Sequence, residues 1–176
     1  MIRFDTAAAL LLKRPATGLV RAAAAVLAYE PPENELDLAL RDWSELFFVP
    51  SRARYMPPFE SAFREKRLGG ALAADALAAY QASGFDPAAL DMDPLWRAAW
   101  RPDHLGVESA FVCALLRGAA DRPEDGPALA ASAGLFHSRH IAPWAGDYGR
   151  LLSGAAQSAL YRHLGRLLED VAAWTV

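Results

Sequence analysis

Apolar residues recur at steps of three and four along most of the chain. Leu36, Leu40, Trp43 and Phe47 fall on one face of a helix over 34–48. The tail repeats the pattern through Tyr148, Leu151, Ala155, Leu160, Leu164, Leu167, Val171 and Trp174. No four-residue stretch rich in β-branched residues alternates cleanly, so the pattern predicts no strand. Prolines and glycines punctuate the helices. Residues 5–29 read as one helix, disturbed at Pro15 and Gly18 and stopped by Pro31 and Pro32. After the loop SRARYMPPF, short helical patterns cover 59–67 and 71–82. A turn-rich connection, 83–101, holds one helical turn near Leu95 to Trp100.

The stretch RPDHLGVESAFVCALL opens the next helix, over 103–119. Asp103 is its expected cap, because a carboxylate accepts the free N–H groups of a first turn. Ser109 to Leu116 is apolar or small on every face, which predicts the buried centre of the fold. Another helix covers 127–140 and ends by Pro143. Gly146, Gly149 and Gly154 weaken a single tail helix, so a break is expected near Ser153-Gly154. The expected architecture is an all-α bundle, one domain over 1–176, of about seven to nine helices.

Composition narrows the class. Apolar residues make up 53% and charged residues 22%, which excludes a disordered chain. The net charge of −3 gives no sign of a nucleic-acid partner. A single cysteine, Cys113, allows no intramolecular disulfide, and its mid-helix apolar setting makes it a packing residue. The start MIRFDTAAALLLKRPATG has Asp5 in place of a basic region and an apolar core of only Ala7 to Leu12, so it reads as a first helix and not a signal sequence. No uncharged apolar run approaches the roughly 18 residues of a membrane span. A cytoplasmic location is expected.

Nucleotide-binding and nucleophile-elbow motifs are absent. A metal site is one reading of the histidines: His104 with Glu108, and His137 with His140, share helix faces at spacings of four and three. On that reading the chain is a small helical metalloenzyme. The Glu-x-x-His pairs of di-iron bundles are missing, however. Asp103 and His104 are adjacent, so on a helix they point about 100° apart and do not form a triad-like dyad. His163, among Tyr161, Arg162 and Arg166, is expected to face solvent. A third reading is a recognition groove. Tyr55, Pro57, Pro58, Phe59, Trp100, Pro102, Pro143 and Trp144 are bulky and lie in loops or at helix ends, which suits an apolar peptide. The same residues could equally close the core.

Three segments bear on that choice: YMPPFES (55–61), PDHLGVE (102–108) and F-x-x-x-H-x-x-P-W (136–144), followed by Tyr148 and Tyr161. In this order they resemble the signature blocks of the TorD/DmsD/NarJ family of redox-enzyme maturation chaperones. The likeness extends in layout over roughly residues 25 to 165. Phe59 stands where the family more often has histidine, tyrosine or tryptophan, and Ser109 where a leucine often follows the glutamate. The resemblance implies an all-helical cytoplasmic protein with no catalytic activity of its own; no cofactor and no metal are expected. It implies binding to the twin-arginine signal peptide, and often the body, of a molybdopterin-containing oxidoreductase subunit until cofactor is inserted. The peptide-binding positions it implies are Tyr55, Pro58, Phe59, Glu60, Pro102, Asp103, His104, His140 and Trp144. On that reading the Asp103–His104 pair is held at a rigid helix head on the surface, as a monomer or a helix-swapped dimer.

Overall fold

The computed structural model describes residues 1–175. Pro15 lacks an N–H and restricts the residue before it. The chain therefore leaves α1 (Ile2–Leu12) and restarts in α2 (Thr17–Leu27). The one interrupted helix expected over 5–29 is two helices. Then follow α3 (Glu35–Phe47), α4 (Glu60–Glu65), α5 (Ala71–Ala82), α6 (Pro94–Ala98), α7 (Leu105–Asp121), α8 (Gly126–Phe136), α9 (Ala145–Ala155) and α10 (Ala159–Ala172). A 3-10 turn (Pro87–Ala89) precedes α6, and a π turn (His137–Ile141) follows α8. The fold is all-α, with no strand among the described residues, and eight of the helices have seven residues or more.

The helix that carries the apolar run Ser109 to Leu116 forms the centre, as the pattern predicts, although Ala114 within that run is exposed. Leu105, Val107, Phe111, Val112, Cys113 and Leu115 of α7 are buried. This helix packs between α1 and α8. Close approach to α1 depends on Gly106, where a Cβ would stand 2.8 Å from Leu12 Cγ. The α9–α10 hairpin packs tightest. A Cβ on Gly149 or Gly165 would sit 2.4 Å from the other's carbonyl oxygen, so neither position admits a side chain.

The break in the tail falls after Ala155, slightly beyond the expected Ser153-Gly154. Position there is decided by capping rather than by glycine. Asp42, on the buried face of α3, accepts from Gln157 N–H, Ser158 N–H and Ser158 Oγ–H, each at 2.8 Å, all through Oδ2. Its Oδ1 takes Arg54 at 2.7 Å. Glu35 accepts from the next amides, Ala159 and Leu160. Two carboxylates of one helix thus satisfy the free N–H groups at the start of another.

Candidate functional site

The three motif blocks meet. Pro58 O accepts from Leu105 N–H (2.8 Å), and Asp103 O accepts from Glu60 N–H (2.9 Å). This two-bond bridge pairs Phe59 with His104. It sets the start of α4 against the start of α7.

The bridge decides which residue caps which helix. Asp103 does not cap α7, contrary to the sequence expectation. Its Oδ2 reaches across the bridge and accepts from Ser61 N–H at 2.9 Å, in the first turn of α4. His104 caps α7 instead, its Nδ1 accepting from Gly106 N–H at 3.0 Å. The helix begins two residues later than expected for that reason. His104 then carries its proton on Nε2, between the rings of Phe59 (5.3 Å) and Trp96 (4.4 Å). Burial holds its pKa down at about 3, so it is neutral at physiological pH.

Neither residue is on the surface, which corrects the second expectation for this pair. Asp103 is 0% exposed and His104 3%. Of the nine positions that the resemblance implies, Pro58, Phe59, Glu60, His140 and Trp144 are buried as well. Tyr55 and Pro102 remain half-buried. Tyr80 Oη–H, from α5, donates to Pro102 O at 2.8 Å and anchors that loop. Trp144 Nε1–H donates to His140 O, closing the π turn.

Inside the junction lies a cluster of ionisable groups. Ligand atoms of Glu60, Glu108 and His140 all lie within 4.8 Å of one another, and all three residues are buried. His140 Nδ1 is 2.9 Å from Glu60 Oε2, and Arg64 pairs with Glu60 Oε1. No N–H or O–H donor reaches either oxygen of Glu108. Burial drives the Glu108 carboxyl well above the usual range, and the neighbouring Glu60 and Asp103 carboxylates push the same way. A neutral Glu108 carries a proton that it can share with Glu60. Burial, with the charges of Glu108, Asp103 and Glu60, also raises the Tyr80 phenol well above its ordinary value.

The structure does not bring His104, Glu108, His137 and His140 together as the helix-spacing reading expects. His137 and His140 lie in the π turn, where Ala142 N–H reaches back five residues to His137 O. The wider turn removes the shared face that an α-helical spacing of three would give. His137 Nε2 meets Val171 O at 2.7 Å, in an apolar setting with Phe4 and Trp174. His140 alone turns into the acidic cluster, and Glu60, which the spacing argument did not include, completes it. His163 is half-buried and stacks on Tyr29 with centroids 4.5 Å apart, so it does not simply face solvent. Cys113 is buried as expected, and burial raises its thiol pKa.

A groove borders the cluster. A cavity of about 390 Å³ runs between α5, α7 and α8, with Ala79, Phe111, Leu115, Leu135 and Phe136 along its walls. His140, Asp75 and Arg139 also line it. Asp75 is paired with Arg139, and Leu135 is 69% exposed. The sequence reading did not single out Asp75, Leu135 or Arg139. Leu135 immediately precedes the third block, and Arg139 lies within it, in the π turn.

Among the described residues no helix is long and apolar enough to cross a membrane. No curated protein and no solved structure matches the chain. The protein family described as nitrate reductase delta subunit matches residues 11–148, a span that holds all three motif blocks and every side chain of the cluster and groove. The chain belongs to the nitrate reductase delta subunit family.

Proposed function

We propose that this protein is a cytoplasmic maturation chaperone that binds the twin-arginine signal peptide of a molybdopterin-containing oxidoreductase subunit and holds that subunit until its cofactor is inserted. Family membership supports the general role, a non-catalytic chaperone in molybdoenzyme maturation. The observation that carries the peptide reading is the groove between α5, α7 and α8. It combines an apolar wall with a carboxylate at its lining, which is what a leader with paired arginines and an apolar core requires.

Asp75 is the proposed contact for a leader arginine. It already holds one guanidinium, that of Arg139, and an incoming arginine exchanges with it. Leu135 and Phe111 take apolar side chains. Tyr55, Pro102 and His140 make further contacts. Pro58, Phe59, Glu60, Asp103, His104 and Trp144 are buried, so their role in binding is to hold the groove and its flanking loops in shape.

Calorimetric titration with synthetic leaders tests this. Wild type should bind an Arg-Arg leader more tightly than a Lys-Lys leader, because lysine lacks the planar fork. Asp75→Asn should weaken Arg-Arg binding by about tenfold or more, given charge-assisted bonds of roughly 1.5–3 kcal/mol, and should narrow the preference. No binding of either leader to the wild type, or an unchanged affinity in Asp75→Asn, would overturn the assignment.

A further inference from the structure

We infer that Glu60, Glu108 and His140 form a binding site for one divalent first-row metal ion, which cross-links the three motif blocks. The inference is independent of the peptide reading, since it needs no client.

Three observations carry it. The first is convergence: the ligand atoms of these three residues lie within 4.8 Å of one another, and all are shielded from water. One oxygen-oxygen-nitrogen set drawn from α4, α7 and the π turn suits zinc, iron(II), cobalt(II) or manganese(II). The second is Glu108. It is 0% exposed, and no donor reaches either of its oxygens. Buried carboxylates elsewhere in this protein are saturated with donors, so its vacancy is specific to this place. The third is charge. Glu60, Asp103 and Glu108 are all fully buried carboxylates, and the one cation paired with them is Arg64. Once Glu108 gives up its proton to an incoming ion, two formal negative charges remain, which a divalent cation balances.

The surroundings fit. Arg64 holds the second oxygen of Glu60, and Trp144 Nε1–H holds the carbonyl of His140, so two of the ligands are oriented from outside. His140 also lines the groove, which gives an ion a way in. Three protein ligands leave a fourth position for water. The bound ion replaces the Glu108 proton and the His140–Glu60 hydrogen bond. Its role is to fix the relative positions of α4, α7 and the π turn.

The untagged chain, stripped with a chelator, should take up one equivalent of Zn²⁺ and melt at a higher temperature with it. Cobalt(II) should give visible absorption bands of a nitrogen/oxygen site. Glu108→Gln should fold, since a neutral amide replaces a neutral, unpartnered carboxyl of the same shape, and circular dichroism checks that. It should lose the Zn²⁺-induced rise in Tm and weaken uptake by at least a hundredfold, as should His140→Gln. His137→Gln, outside the cluster, should keep both. If wild type takes up no equivalent, or Glu108→Gln binds Zn²⁺ as wild type does, protons alone neutralise the cluster and the inference falls.

Discussion

Two places in this protein bury glutamate and aspartate side chains together, and they differ in one respect. At the start of α10, Asp42 and Glu35 have a donor on every carboxylate oxygen: backbone amides, a serine hydroxyl and Arg54. At the start of α7, Glu108 has a donor on neither oxygen and Asp103 lacks one on Oδ1. Buried polar groups are costly when unpartnered, so the first arrangement explains itself as stabilisation. The second does not. It is where the motif blocks meet, and where the groove begins.

The contrast is open to mutation, and the effects should differ in sign. Asp42→Ala strips four donors of their acceptor and leaves Arg54 half-buried. Guanidinium denaturation should show a loss of about 3–5 kcal/mol, as for a broken buried ion pair. A loss below about 1 kcal/mol would mean that water replaces the carboxylate freely. Glu108→Gln, in the metal-free protein, should instead be neutral or stabilising, by up to about 1–3 kcal/mol, since an orphaned carboxyl held in its protonated form by burial becomes an amide that needs no proton. A strong destabilisation would reveal that Glu108 is satisfied after all.

Asp103 lies between these extremes, with one oxygen used and one free. Asp103→Ala should cost about 0.5–2 kcal/mol, a lost cap on α4, whereas Asp103→Asn keeps an acceptor for Ser61 N–H and should cost less. The melt should be joined to amide exchange, because the freed amide is in α4. Faster exchange confined to α7 would restore the capping role that the sequence suggested.

His104 supplies the smallest effect. Its folded pKa, about 3, lies below the unfolded value near 6.5. The neutral ring therefore contributes stability that is present above pH 6.5 and is lost as pH falls toward 3. Between pH 7.5 and 5.5 the loss should be roughly 1 kcal/mol. His104→Asn keeps an N-cap acceptor and lacks the titration, so its stability curve should be flatter over that interval. Parallel curves for the two proteins would show that His104 is not the group responsible.

Much of this was legible along the chain. Pro15, Pro31 and Pro57-Pro58 mark helix limits because a missing N–H and a clashing ring act locally. The apolar stretch around Phe111 predicts a central helix for an equally local reason. The three motif blocks also lie on segments that meet in the structure. What sequence periodicity cannot show is which way a side chain turns once segments cross. Asp103 looked like a cap for its own helix because the bridge to Phe59 is not visible in the pattern. His137 and His140 looked like a pair because a π turn and an α turn have the same sequence spacing. Glu60 reaches His140 across 80 positions, and Asp42 reaches Ser158 across 116; only packing brings either pair together.

The groove between α5, α7 and α8 is the proposed peptide site, whereas the saturated carboxylates at α10 serve stability. Hydrogen–deuterium exchange with and without an Arg-Arg leader tests it most directly. Exchange should slow in α5, α8 and the π turn on adding peptide, with no change over 156–162. Protection confined to 156–162 or to α1 and α2, with α5 and α8 unchanged, would contradict it.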